Sequence, residues 1–441
     1  MERSDALLLE IVARHADLAE ALRPVLEAPP VLLSPAKWTD IGTLLARHHR
    51  YGDAARCLRA ALRTNPDDPV LAANLGLILE WSGTPEAAIP FLRQAYLRSR
   101  DPDHLEALCG VLRAAGRGPE GLDMIHEALA RQPAAAPLYA NVLACAGDVS
   151  ADLGDEAGAL YLYDTARDLL PACGRAFSGT SVLRLRRRLA AEGQAAPRAD
   201  APPAGPAVAI SSIGYRGRLA DQVRAYLAAR GYADHFRLAL ETPDWVGHYL
   251  FELADPPIRR RRPCLRWAGD LSAACRAPAP PHVEVDLFDP GLLEPPGDWP
   301  AEGVLTFRPL WTALARTWLD QARHLRGGAT VVAVHVRMGD YVTLRGLPDL
   351  SRTRDWLAGQ WPRLERPVLV VASDDLAAVT QAFAEFAPLT RHDLTPCDPG
   401  LEWLQDLLLL SHADAVAVGS RGSFGALAAK LNRKAVAVGW C

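Results

Sequence analysis

The stretch Val331-Val332-Ala333-Val334-His335-Val336-Arg337-Met338-Gly339-Asp340-Tyr341 decides the reading of the C-terminal half. Its apolar, β-branched opening predicts a buried parallel strand. The polar residues then fall at the strand's C-terminal end, where open α/β sheets bind ligands. Arg337 carries the most weight, because a planar guanidinium holds phosphate oxygens in bidentate fashion and keeps its charge. Such a residue in a cleft suits a nucleotide diphosphate.

The neighbouring sequence repeats the strand–helix alternation of a parallel sheet. Val368–Ala372 reads as a strand ending at Ser373-Asp374-Asp375, followed by a helix over 376–386. A helix over 401–411 precedes a strand over 415–418, which ends at Gly419-Ser420. A helix over 423–431 and a strand over 435–438 close the chain. Upstream, strands are expected at 208–210, 236–240 and 283–288, with helices over 219–230 and 308–325, the latter with Pro309 in its first turn. His335 and Arg337, Asp374 and Asp375, and Ser420 and Ser423 thus gather at three strand ends, a grouping that fits phosphate, ribose and base. The four arginines Arg259–Arg262 read either as a solvated loop or as an anion-binding edge.

The N-terminal third is periodic. Trp38, Ile41, Gly42, Leu45, Ala54, Leu58 and Ala61 shift by 34 residues onto Ala72, Leu75, Gly76, Leu79, Ala88, Leu92 and Ala95. Gly110 and Gly147 fall near the next multiples, and Ala159, Tyr163 and Ala166 complete a fourth unit. This spacing resembles the tetratricopeptide repeat, in which helix pairs stack into a solenoid because no pair buries its own apolar face. The glycines allow close helix approach, and Pro66, Pro69 and Pro102 are expected to end helices. Residues 5–30 read as a capping helical pair. The concave face would bind a protein or acceptor, or else pack on the rest of the chain or make a dimer. Beyond Arg175 the pattern decays, and an Ala/Pro-rich run leads to a boundary near residue 205.

The 441 residues allow two or three domains, and the formal net charge of −4 gives no ground for nucleic-acid binding. Eight scattered cysteines without a C-x-x-C pair argue against a zinc or redox site. With no apolar run long enough for a membrane span and no leader-like N-terminus, a cytoplasmic location is expected.

The C-terminal motifs also resemble a known family. His335-Val336-Arg337-Met338-Gly339-Asp340-Tyr341 is similar to the H-x-R-R-x-D-Y signature of α-1,2-fucosyltransferases. Ser373-Asp374-Asp375 resembles the second motif of that superfamily, and Asp406–Asp414 followed by Gly419-Ser420 and Ser423-Phe424-Gly425 its third. Arg218-Leu219-Ala220-Asp221-Gln222 is similar to its G-L-G-N-Q element. The resemblance implies a GT-B pair of Rossmann-like domains and metal-independent, inverting transfer of fucose from GDP-fucose. It assigns catalysis to Arg337, His335 and Asp340, and donor binding to Arg337, Asp374, Asp375, Asp406, Ser420 and Ser423. Arg218, Asp221 and Gln222 would lie on the acceptor side. No D-x-D motif occurs in residues 206–441, so Arg337 would supply the charge of a metal ion.

Met338, Ala220, Asp221 and Arg421-Gly422 depart from the family pattern. Met338 removes one cationic contact, which leaves open a scaffold that has lost catalysis, or a transferase for another nucleotide sugar. The expected plan is a tetratricopeptide α-solenoid over 1–180, a linker over 181–206, an acceptor-side α/β half over 207–326 and a nucleotide-sugar half over 327–441. The acceptor would be a protein or a glycan recruited by the solenoid.

Overall fold

The computed structural model describes residues 10–11, 13–15, 18, 35–131, 137–194, 205–215, 217–265, 269–270, 285–287, 293–294, 304–338, 350–418, 422–432 and 437–438. Most of the expected capping pair over 5–30 lies outside them. None of the helices searched among the described residues is long and apolar enough to cross a membrane.

Helices come in antiparallel-sized pairs from residue 35: α1 (Pro35–Arg47) with α2 (Tyr51–Thr64), α3 (Pro69–Trp81) with α4 (Pro85–Ser99), α5 (Pro102–Ala114) with α6 (Gly118–Arg131), and α7 (Ala140–Asp152) with α8 (Glu156–Leu169). Pro69 and Pro102 open helices rather than end them. Each occupies the first turn behind an aspartate, Asp68 or Asp101, whose side chain accepts from the free amides.

Within each pair the contact depends on a small residue. A Cβ on Gly76 would lie 2.5 Å from Leu92 Cγ, and one on Gly147 would lie 2.6 Å from the Tyr163 ring. The third pair differs. Gly110 faces open space, Cys109 stands at the eighth position of its helix, where Gly76 stands in α3, and a Cβ on Gly121 of α6 would meet Cys109 at an ordinary contact distance of 3.5 Å. No glycine is required at that contact, so the third unit is hard to see in the sequence although its helices are regular.

Helix α9 (Gly174–Ala191) runs through the first part of the expected linker. Ala176, Phe177, Val182, Leu183, Leu185 and Leu189 are buried on it, so residues 181–191 are structural wall and not connector.

Beyond residue 205, strand β1 (Ala207–Ala209) pairs in parallel with β2 (Ala239–Glu241), and Ala209 and Cys264 each bridge in parallel to Asp286. Helix α10 (Leu219–Phe236) connects β1 to β2. Of the arginine run, Arg259, Arg260 and Arg261 are exposed, as in a solvated loop, and Arg262 is turned inward. Arg262 is buried and grips Glu241 through two bonds of 2.6 and 3.0 Å, while the amide of Arg259 donates to the same carboxylate. The Cys264 amide donates to Trp81 O at 2.7 Å, and Tyr51 Oη donates to Cys264 O. The segment that follows the run therefore holds the solenoid against the first α/β half.

The second half is a parallel sheet of four strands in the order β4-β3-β5-β6: β3 (Thr330–Val336), β4 (Pro367–Ser373), β5 (Ala415–Val418) and β6 (Ala437–Val438). Helix α11 (Pro309–Arg326) leads into it, and α12 (Ser351–Gln360), α13 (Leu376–Ala382), α14 (Glu402–His412) and α15 (Ser423–Leu431) connect its strands. The small parallel sheets agree with an α/β class for residues 207–438.

Gly76→Ala should destabilise the solenoid by about 1–3 kcal/mol through overpacking against Leu92. Gly110→Ala should be neutral or stabilise by up to about 1 kcal/mol, because alanine is the better helix former and has space. Thermal unfolding of the two variants checks the contrast.

Candidate functional site: the switch point beside strand β3

From β3 the chain goes first to β4 on one side and later to β5 on the other. The strand order reverses at β3, and the crevice outside the carboxyl ends of β3 and β5 is where such sheets bind ligands. Strand alternation decides what faces it. Val331 and Ala333 join the large core on one face, whereas Val332, Val334 and Val336 join the cluster on the other. His335 and Arg337 continue the first set. Met338 belongs to the second and packs with Leu350, Trp356 and their neighbours. Its thioether therefore serves the opposite layer, and the position is not a vacated cationic contact beside Arg337.

The first turn of α15 closes onto this pair. A Cβ on Gly425 would stand 2.6 Å from His335 Nδ1, and one on Gly422 would stand 3.6 Å from His335 Cε1 and 3.7 Å from Arg337 Cβ and Cδ. The ring of Phe424 lies 5.4 Å from that of His335. Gly422 precedes α15 in extended conformation, and among the described residues no side chain caps the helix. Arg337 and the amide end of a nine-residue helix thus occupy one corner. This is an arrangement that attracts anions. Ser423 is exposed at the first position of α15. Asp340 and Ser420 lie outside the described residues.

His335 is buried, and burial lowers its pKa to about 4, with Arg337 acting in the same direction and Asp374 against it. The ring is neutral at neutral pH. It can orient a ligand by a hydrogen bond but brings no charge.

The carboxylates have other work. Asp374 Oδ1 accepts from Met338 N at 2.6 Å, which ties the end of β3 to the end of β4. Asp375 caps α13 through Ala378 N at 3.0 Å. Asp406 is buried on α14 and its Oδ2 accepts from Arg391 Nη1 at 2.7 Å. Burial pushes its pKa up to about 7 against the pull of Arg391. Asp406 thereby holds Arg391, which also donates to Ser373 O at 3.3 Å beneath the end of β4. These contacts give each of the three acids a structural duty, and Asp374 and Asp375 remain exposed at the end of β4. Sequence reasoning missed Arg391. The signal was the capping box Thr390-x-x-Asp393, which fixes the turn that carries it.

On the first half, Arg218 is exposed at the N-cap position of α10 and Asp221 pairs with Arg224 at 3.3 Å. Gln222 is 1% exposed and donates to Gly217 O at 3.3 Å. It therefore holds the preceding loop and is not presented to an acceptor. Helix α10 packs on α15, so the two halves meet beside the Arg337 corner.

No protein-family profile matches the chain. It is 32% identical over 148 residues to Protein FlbA of Caulobacter vibrioides, a match covering 32% of this chain and 24% of that protein. The chain thus spans about a quarter of the length of that relative. Among solved structures, a crystal structure of MamA protein is similar over 36% of this chain and 86% of its own, at 19% identity and a TM-score of 0.31. PilF of Pseudomonas aeruginosa covers 35% and 69%, at 20% identity and 0.31. YrrB, a TPR protein with an unusual peptide-binding site, covers 37% and 82%, at 21% identity and 0.30.

The depressed pKa of His335 has a stability consequence of definite sign. Between about pH 4 and its ordinary value of about 6.5, the unfolded chain binds a proton that the folded chain refuses, so stability falls as pH falls. Denaturant unfolding at pH 7.5 and pH 5 should show wild type losing about 1–2 kcal/mol more than His335→Gln over this interval. Parallel curves for the two proteins would contradict a neutral, buried ring.

Proposed function

We propose that the chain is a metal-independent glycosyltransferase that transfers fucose from GDP-fucose, with inversion, to a protein or glycan acceptor. The observation that supports this best is the corner formed by Arg337 and the uncapped first turn of α15, at the switch point of a parallel sheet. A nucleotide diphosphate placed there meets the Arg337 guanidinium and the partial positive charge of the helix end. Both strengthen as negative charge develops on the leaving diphosphate. His335 orients the phosphates without adding charge, and Ser423 donates at the helix end. Asp340 would take the proton of the acceptor hydroxyl. The choice of fucose and guanosine rests on the resemblance of the His335–Tyr341 segment and the three accompanying motifs.

A second reading, a solenoid scaffold with a nucleotide-binding or inert α/β part, is favoured by one observation. Asp374, Asp375 and Asp406 are all committed to protein contacts. The solenoid itself is a helical-repeat surface of the kind that binds proteins.

Thermal shift separates the readings. At a hundredfold excess over Kd, a ligand of the native state adds about 2.7 kcal/mol of stability. GDP and GDP-fucose should raise the melting temperature more than UDP or CDP, and Arg337→Ala should abolish the shift. Slow release of GDP from GDP-fucose, lost in Arg337→Ala, marks the transferase. A shift without release marks the second reading, and no shift with any nucleotide removes both nucleotide-binding versions.

A further inference from the structure

The turn Ser211–Tyr215 follows β1 and lies outside the carboxyl end of that strand, the side on which open parallel sheets bind ligands. Its Ser211 amide is fixed from within the half, donating to the buried Asp286 Oδ1 at 2.8 Å. Its far end is fixed by the solenoid. The guanidinium of Arg175, on α9, lies over the Tyr215 ring at 4.4 Å. Gly214 adopts φ +92°, and a Cβ there would stand 3.1 Å from Ser178 Oγ, also on α9.

Arg175 is itself held from two further helices. It donates to Asp148 Oδ2 on α7 at 3.0 Å and to Glu106 Oε1 on α5 at 3.3 Å. Asp148 is fixed in turn by Arg113 at 3.1 Å and by Tyr163 Oη at 2.7 Å. Such a multiply bonded guanidinium has little freedom, and stacking on tyrosine adds a directional contact. Glu106 and Arg113 stand on α5 and Asp148 on α7, the first helices of the third and fourth pairs. That face of the solenoid is thus engaged with its own chain in this region.

We propose that Arg175 is a positioning residue for the cleft: anchored by Asp148 and Glu106, it stacks on Tyr215 and sets the Ser211–Tyr215 turn on the acceptor side. The solenoid is then a wall of the site, not a separable recruitment module. The role in turnover rests on the transferase reading, whereas the clamp on the turn does not.

Tyr215→Ala tests this in the full-length chain, because it removes the stack and leaves the Arg175–Asp148–Glu106 network in place. Tyr215→Phe, which keeps the ring, serves as rescue. Hydrogen exchange of amides 211–218 should speed up about tenfold or more in Tyr215→Ala, with residues 330–336 unchanged and Tyr215→Phe near wild type. GDP release should fall by about tenfold while the GDP-induced thermal shift stays as in wild type, since Arg337 is untouched. Exchange of 211–218 within about twofold of wild type, or uniform loosening that includes 330–336, would overturn the clamp. Faster exchange with unchanged GDP release would overturn the positioning role. A wild-type protein with no nucleotide response defeats the transferase reading, and with it the role in turnover, while exchange still decides the clamp.

Discussion

Strand β3 is the constraint from which the C-terminal half follows. It is hydrogen-bonded on both edges, to β4 over its whole length and to β5 over half of it. Both faces are covered, one by the large core and the other by the Val332–Val334–Val336 cluster. A strand buried on four sides admits a polar side chain only near its end. Because side chains alternate, the two polar residues that emerge on the α15 face must be two apart. His335 and Arg337 satisfy that geometry, and Met338 turns to the other layer.

A second dependency runs through α9. Val182, Leu185 and Leu189 enter the core of the α/β part, while Ala176 and Leu183 enter the solenoid cluster that contains Tyr163. One helix is thus wall to both bodies. Its arginines project between them and outward: Arg184 to Asp164, Arg186 to Asp244 and Arg187 to Glu156. Together with the Arg262–Glu241 pair and the Cys264–Trp81 bond, this makes the junction a packed interface. The part of the solenoid that meets Cys264 and Tyr215 is packed on its own chain.

How legible these features were depends on whether their signal is local. The first, second and fourth helix pairs show themselves because glycine sits at one register on the first helix. The third pair hides because Cys109 stands at that register and its contact requires no glycine. Helix α9 reads as the start of a linker because a helix buried on two sides has no single apolar stripe. The β3 strand and its arginine are readable from eleven consecutive residues. Arg391 is not, since its meaning comes from Asp406, fifteen positions away and brought near only by the sheet.

An aspartate at the end of a buried strand is chemically able to meet a ribose, yet the same place also offers main-chain amides without strand or helix partners. Asp374 answers the Met338 amide beyond β3, Asp375 an amide in the first turn of α13, and Asp406 a guanidinium. Such engagement suits an anion site. A diphosphate carries charge of the same sign as a carboxylate, and like charges a few ångströms apart in a partly dry crevice repel strongly. Asp406 has its charge offset by Arg391, whereas Asp374 still acts on His335 against Arg337. The electrostatics of the corner then follow from Arg337 and the first turn of α15 with Asp374 opposed to them, and His335 is kept neutral by its burial.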